Sequence, residues 1–420
     1  MVDIKAEFQR NPQSVNALKI VQRLHEAGFQ AYLVGGCVRD LLLGKSPKDF
    51  DVATDAHPDK IRSLFNSARL IGRRFQIVHV RFGREIIEVT TFRAPADDKH
   101  SKVTADGMLL SDNVYGTYEQ DVMRRDFTMN ALYYDPQTNE VRDLVKGRED
   151  IEARTIRLIG EPEQRFREDP VRMLRAARFE AKLEFEIEPT ARDAIHRVGH
   201  LLQEIPPARL FEEALKLFMS GYGEASFNSL NQHKLIGWLF PDCAQTAEGT
   251  LQEETQAHAL IQLALASTDK RIRDELPVTP AFVLAALLWW PFVNEQKRLK
   301  SEGVTSLSAS HEAALNVITR QQFSISIPKR FATPMRDIWH LQSRLHNTRG
   351  KKPAAIARHK RFRAAYDFLL LREASGENLN NLGEWWTNYQ VENPVERTAS
   401  APSPRKRRPK TRKRRPRPSP

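Results

Sequence analysis

The chain has 420 residues, 40% hydrophobic and 28% charged, the balance of a soluble protein with room for two or three domains. Net charge is +12, yet residues 401–420 alone carry ten Lys or Arg and no acid, so the rest of the chain stands near +2 and the excess sits at one end. Two cysteines at unrelated positions argue against a disulfide framework or a zinc site and suit a reducing, cytoplasmic setting. The longest apolar run, AFVLAALLWWPFV (281–293), is too short to span a bilayer, and MVDIKAEFQRNPQ has no apolar stretch of the secretory kind.

In chain order, SVNALKIVQRLHEA (14–27) places Val15, Leu18, Val21 and Leu24 at helical spacing, with Ser14 as a cap and Gly28 as the stop. Strand-like runs follow at AYLVG (31–35), DFDVAT (49–54), FQIVHVRF (75–82), EIIEVTTF (85–92), ALYYD (131–135) and EVRDLV (140–145). Helical pieces at 37–43 and 58–66 lie between them. The pattern predicts a mixed α/β unit over 30–150, preceded by a helical segment at 1–29. Beyond 151 the strand pattern fades. EDPVRMLRAARFEAKL (168–183), EPTARDAIHRVGHLL (188–202) and PARLFEEALKLFMSG (207–221) read as helices, and 222–390 continues helical with no internal repeat. Trp289 and Trp290 read as helical core. Residues 391–420, rich in Pro, Arg, Lys and Ser, lack the apolar surface that would offset ordering, and read as a disordered basic tail.

Three segments carry chemistry. In VGGCVRD, Gly35 and Gly36 let the backbone approach a phosphate, a helix opening near Val38 points its first N–H groups at it, and Arg39 adds a charged donor. The plainer alternative is a tight turn with Arg39 and Asp40 as a surface pair. In DFDVAT, strand alternation sends Asp49 and Asp51 to one side and Phe50 into the core; two neighbouring carboxylates need a cation, and Mg²⁺ binds through one or two carboxylates plus phosphates. A third carboxylate would complete a two-metal site, and Glu88 and Asp126 are both candidates. Arg124 and Arg125, beside Asp126, suit a triphosphate. In REDPVRMLRAARF, Asp169 and Pro170 read as N-cap and first helical residue, with Arg172 and Arg175 on one face and Val171 and Leu174 on another. His79 reads as packed or hydrogen-bonded, and Cys37 as an inert buried thiol.

Together, YLVGGCVRDLLLG, KDFDVAT, RRDFTMNALYYD and EDPVRMLRAARF resemble, in order and spacing over about 150 residues, the class II nucleotidyltransferases. That family comprises the bacterial poly(A) polymerases and the CCA-adding tRNA nucleotidyltransferases. The resemblance implies a palm-like nucleotidyltransferase head with a mixed sheet (30–150), a helical neck (151–221), and a helical body and tail (222–390). It implies Asp49 and Asp51 as the metal pair, Gly35, Gly36 and Arg39 as the phosphate turn, and Asp126 and Glu88 as further carboxylates. It also implies Asp169 and Arg172 as the base-reading pair and Arg175 as another nucleotide contact. LIGRRFQIVHVRFGREIIEVTTFR, DGMLLSDNVYGTYEQD and IPPARLFEEALKLFMSGYG resemble the poly(A) polymerase branch. The implied activity is transfer of AMP from ATP to RNA 3′ ends with Mg²⁺, possible partners being RNA-decay proteins. CCA addition and a non-catalytic RNA-binding scaffold are the alternatives. A tail of Arg405, Lys406, Arg407, Arg408, Lys410, Arg412, Lys413, Arg414, Arg415 and Arg417 suits RNA phosphates.

Overall fold

A computed structural model describes Phe8 and residues 12–72, 76–94, 102–103, 109–111, 114–244 and 251–394. The ten basic residues of the tail lie outside the described residues, as do Arg73, Arg74 and Phe75. Helix α1 (Pro12–Glu26) buries Ala17, Ile20, Val21 and Leu24 on one stripe. Ser14 lies within this helix and not at its cap; its hydroxyl is buried and donates to the Phe8 carbonyl. Gly28 ends the turn with φ of 85°, a conformation that favours glycine.

The first half of the chain then alternates strands and short helices: β1 (Ala31–Val34), α2 (Gly36–Leu42), β2 (Asp51–Thr54), α3 (Pro58–Leu64), β3 (Ala68–Ile71), β4 (Ile77–Phe82), β5 (Glu85–Thr91). A small hairpin, β6 (Lys102–Val103) and β7 (Leu109–Ser111), precedes α4 (Tyr118–Arg124), a 3-10 turn at Thr128–Asn130, β8 (Tyr133–Asp135), β9 (Glu140–Arg142) and α5 (Gly147–Glu152). Seven strands form one mixed sheet in the order β3-β4-β5-β2-β1-β8-β9, in which only β2 and β5 run parallel. The pleat gives this sheet two different faces. Leu33, Val52, Val78, Val80, Ile87 and Val89 point to the face covered by α1, in the main core. Tyr32, Val34, Ala53 and Tyr133 point the other way, into a smaller cluster with Phe92, Tyr118 and Val122.

The strand–helix division read from the sequence holds, with local differences. β3 is an additional edge strand, whose alternating side chains are mostly exposed and leave no apolar rhythm. The helix expected at 168–183 is two: α6 (Pro162–Glu168) and α7 (Val171–Leu183), broken where Asp169 takes an extended conformation. A two-stranded parallel ladder, β10 (Thr155–Ile156) with β11 (Glu186–Ile187), brackets them. Helices α8 (Pro189–Val198), α9 (Pro207–Phe218) and α10 (Gly223–Gln232) open the all-helical remainder. The main core runs without a break from the sheet to Trp339, and Trp289 and Trp290 are buried in it. A second core around Phe362, Tyr366 and Trp386 closes the C-terminal helices, the last of which reaches Glu392, just past the boundary read from composition. Among the described residues, no helix is long and apolar enough to cross a membrane.

α5 packs on the Thr128–Asn130 turn so closely that a β-carbon on Gly147 would lie 2.3 Å from the Thr128 carbonyl oxygen. The neighbouring Thr128 hydroxyl donates to Asp150 Oδ2 at 2.7 Å, so the turn has little room to yield. Gly147→Ala is expected to cost about 2 kcal/mol of stability, read as a lower urea midpoint at unchanged slope.

Candidate active site

The site is built around one row of the sheet. Strand register places Val34, Asp51, Glu88, His79 and Arg69 side by side across β1, β2, β5, β4 and β3. Register partners share a face, so Asp51, Glu88 and His79 project together from the face opposite the main core. Asp49 is exposed just before β2, while Phe50 is buried against Phe8 with ring centroids 6.0 Å apart. Burial, then the Glu88 carboxylate and Asp49, push the Asp51 carboxyl up to about 6, although nearby Arg125 pulls the other way. His79 Nε2 stands 3.3 Å from Glu88 Oε1, so the ring lies on the site face and is not packed in the core. Burial raises the Cys37 thiol to about 12, and it faces the Val34 carbonyl; this is the inert cysteine expected.

The glycine turn closes β1 against this row. Gly35 has φ of 77°, and α2 begins at Gly36, two residues earlier than the pattern suggested. Arg39 is not aimed at solvent. Its guanidinium is 3% exposed, donates to Asp40 Oδ1 at 2.5 and 2.8 Å and to Asn130 Oδ1 at 2.5 Å, and lies 5.0 Å from the centre of the Phe179 ring. Arg39 and Asp40 are thus a pair, as the plainer alternative had it, but a buried one. Lys182 Nζ adds a contact to Asp40 Oδ2 at 3.3 Å.

Asp126 and the neck helix α7 meet at the same place. Arg175 donates to Asp126 Oδ2, at 2.7 Å from Nε and 2.5 Å from Nη2. Oδ1 accepts from the Phe127 amide at 2.8 Å and Asn130 Nδ2 at 3.2 Å. Burial alone would raise the Asp126 carboxyl, but Arg175 and these donors hold it down near 2. Both oxygens are engaged, whereas Glu88 lies beside Asp51. Phe179 is overlaid by Arg39, Arg175 and Arg178, with guanidinium carbons 5.0, 5.7 and 5.0 Å from its centroid, and meets Phe127 edge-on at 5.6 Å.

Arg125 binds Tyr133 Oη at 2.6 Å and Asp121 Oδ2 at 3.2 Å, while Arg124 reaches the Ala94 carbonyl at 2.6 Å. Burial, then the charges of Arg93, Arg165 and Arg172, lower Arg124 to about 10, the mark of a crowded cationic junction. Asp169 Oδ1 accepts from the Val171 amide at 3.4 Å, but the cap position before α7 is held by Pro170, in helical conformation, and Asp169 lies one residue earlier. The Arg172 amide donates to the Asp169 carbonyl at 3.0 Å, but the two side chains turn to other partners. Asp169 Oδ2 accepts from Arg209 of α9 at 2.8 Å, and Arg172 binds Glu168 Oε2 at 3.0 Å and the Arg165 carbonyl at 2.7 Å. Asn130, Arg178 and Arg209 are site neighbours that motif reading missed. Arg178 continues the three-residue spacing of Arg172 and Arg175 and was detectable from that; Arg209, forty residues from its partner, was not.

Residues 31–157 match the family described as Poly A polymerase head domain, residues 184–246 that described as Probable RNA and SrmB-binding site of polymerase A, and residues 302–419 that described as Polymerase A arginine-rich C-terminus. Poly(A) polymerase I of Salmonella typhimurium is 46% identical over 415 residues, spanning 96% of this chain and 89% of that protein. The chain belongs to the bacterial poly(A) polymerase I family. It is a nucleotidyltransferase. The family's CCA-adding cousins match less of it: the CCA-adding enzyme of Lactobacillus helveticus is 38% identical over 213 residues, 51% of this chain and 52% of that protein. The fold extends to them nonetheless. The Bacillus stearothermophilus CCA-adding enzyme in complex with CTP superposes with a TM-score of 0.61 at 26% identity, covering 92% of this chain and 84% of that one.

Because the Asp51 carboxyl is raised from 3.8 to about 6, the folded protein binds its proton more tightly than the unfolded chain does. Stability from this group is full below pH ~4 and is lost as pH rises through ~6. In the absence of divalent cations, Asp51→Asn is therefore expected to be more stable than the parent by up to about 3 kcal/mol at pH 7 and equal to it at pH 4, measured by urea titration at both pH values.

Proposed function

We propose that the protein transfers AMP from ATP to the 3′-hydroxyl of RNA without a template, releasing pyrophosphate. The observation that supports this most is the carboxylate row itself, Asp51 beside Glu88 with Asp49 at the strand mouth, next to an arginine-rich junction of sheet and neck. Among the described residues, no basic side chain forms an ion pair with Asp51, and no group of three or more His, Cys, Asp or Glu encloses an ion site. That donor set fits Mg²⁺, which takes one or two carboxylates and completes its shell with water and phosphate oxygens. Asp49 and Asp51 would hold it, and Glu88 beside Asp51 adds its negative charge to the row. Bound there, two Mg²⁺ ions would supply a lower pKa for the attacking hydroxyl and charge compensation at the leaving oxygen.

The chain's own groups do the positioning. Gly35 and Gly36 admit the triphosphate to the backbone at the end of β1, and Arg124 and Arg125 offset its charge. Asp169, oriented by Arg209, and Arg172, oriented by Glu168, present a carboxylate and a guanidinium to the base. Arg39, Asp126 and Arg175 act by position, fixing the turn and α7 relative to the carboxylates. The reaction forms the O3′–Pα bond as the bond from Pα to the bridging oxygen breaks. With the geometry set beforehand, the encounter is effectively intramolecular. The basic tail, Arg405 to Arg417, supplies counter-charge for RNA of any sequence. We place the protein in the cytoplasm, with its ATP and RNA, and assign its tails to RNA processing and decay, where RNA-decay proteins are its expected partners.

The test is primer extension with Mg²⁺ on an unstructured RNA, offering each nucleoside triphosphate singly, beside tRNA lacking its CCA end with CTP and ATP. A long ladder from ATP alone is expected, and Asp51→Ala should lose it by at least ~10³-fold while still binding RNA. Addition stopping at C, C, A on tRNA would assign the other branch, and RNA binding without growth of either substrate would leave a scaffold.

A further inference from the structure

Among the described residues, the face of the sheet that carries Asp51 is covered on one side of that residue only. Over β1, β2 and β8 it lies beneath α4 and the rings of Tyr32, Phe92, Tyr118 and Tyr133, the last two in edge contact at 4.9 Å. Over β5, β4 and β3 the same face presents Ile86 and Glu88, then Ile77, His79 and Arg81, then Arg69 and Ile71. They are aligned by the pairings Arg69–His79–Glu88, Ile71–Ile77 and Arg81–Ile86. Ile71 and Ile86 are 45% and 52% exposed, although the opposite face of these strands is buried by Val78, Val80, Ile87 and Val89. On this face the polar row Arg69–His79–Glu88, continuous with Asp51, runs between Ile71 and Ile77 at one end and Ile86 beside Arg81 at the other.

We infer that this open half of the sheet seats the 3′-terminal nucleotides of the RNA, an inference that rests on the AMP-transfer reading. The direction of the reaction points there. The groups proposed to hold the triphosphate, Gly35, Gly36, Arg125 and the neck helix, lie on the β1 and β8 side of Asp51: Arg125 Nη1 is 3.5 Å from where a β-carbon of Gly35 would sit, and its guanidinium lies 4.9 Å from the centre of the Tyr133 ring. In an in-line displacement the attacking oxygen enters opposite the leaving pyrophosphate. The hydroxyl therefore arrives from the β5 side, across Glu88. The chemistry of the surface fits that occupant. Arg69 and Arg81 match the charge of backbone phosphates, and the isoleucines accept ribose and base faces without reading any hydrogen-bond pattern. Such a seat takes RNA ends of any sequence.

The experiment compares the parent with Arg69→Ala/Arg81→Ala and with Arg69→Lys/Arg81→Lys, circular dichroism melting serving to match their folding. The alanine pair should raise the KM for an RNA oligonucleotide about tenfold and flatten the salt dependence of RNA affinity by about 0.7 for each arginine removed, with the KM for ATP within about twofold; the lysine pair should recover the slope. A 4-thiouridine near the RNA 3′ end, irradiated on the parent protein, should crosslink within residues 69–88. An unchanged RNA KM and slope, or crosslinks confined to other segments, would overturn the inference while leaving AMP transfer intact and the β3 edge open to a protein strand instead. Failure of the parent to extend any RNA would count against the reaction itself, and the crosslink would still report where the RNA end lies.

Discussion

The carboxylate of Asp126 and the guanidinium of Arg175 meet across the seam between sheet and neck, and the geometry of the site depends on that contact. Its Asp126 half is nearly buried, its Arg175 half about one-third exposed at 33%, and the Phe127 amide and Asn130 supplement it. An ion pair in such a place is weak as a source of net stability, because desolvation offsets most of the attraction; losing one partner, by contrast, strands a buried charge. Its contribution is to fix an arrangement. Asn130 carries the constraint onward to Arg39, Arg39 to Asp40, and Asp40 to Lys182 back on α7. The loop of contacts starts and ends on the neck helix and passes through the glycine turn, with Phe179 filling its middle under three guanidinium groups. The turn at Gly35, the strand that carries Asp51 and the first turn of α7 are thereby set with respect to one another before any nucleotide arrives.

Around this clamp, charge is distributed in a way that folding alone does not favour. Asp51, Asp49 and Glu88 crowd one end of the sheet, and burial makes their mutual repulsion worse. Arg93, Arg124, Arg165 and Arg172 crowd the junction beside them, and Arg124 is lowered by their company. Each group costs the folded protein stability, which a ligand of the opposite sign would restore. Among the described residues, aromatic rings cover this face of the sheet over β1 and β8, whereas Ile71 of β3 and Ile86 of β5 stand exposed on it. A hairpin-rich sheet with one face committed to the core can offer such a second face, because the pleat keeps the functional row separate from the packing row.

Much of this was legible in the sequence, for local reasons. A glycine pair after an apolar strand, acids alternating about Phe50, and the shift from strand to helical periodicity near 150 are short-range patterns, and the fold follows them. Alternation also put Glu88 on the face opposite Ile87 and Val89, but the register that sets it beside Asp51 is a long-range pairing. What escaped depends on contacts between distant segments. Nothing near Arg39 in sequence discloses Asn130, ninety-one residues away. Nor does anything near Asp169 disclose Arg209, which binds it from the next long helix but one. Ser14 has the composition of a cap and serves inside its helix because Phe8 lies over it. The edge strand β3 has no apolar alternation to betray it, since one of its sides faces open solvent.

The central claim, that the Asp126–Arg175 contact presets the site and does not merely hold it together, is most directly tested by a double-mutant cycle. Asp126→Asn, Arg175→Met and their combination would be compared for kcat/KM of AMP incorporation, with urea unfolding measured in parallel. A coupling of about 2 kcal/mol in the transition-state free energy, with the double variant no worse than either single one, is the predicted result. Losses that add, or a coupling present in stability and absent from kcat/KM, would contradict it.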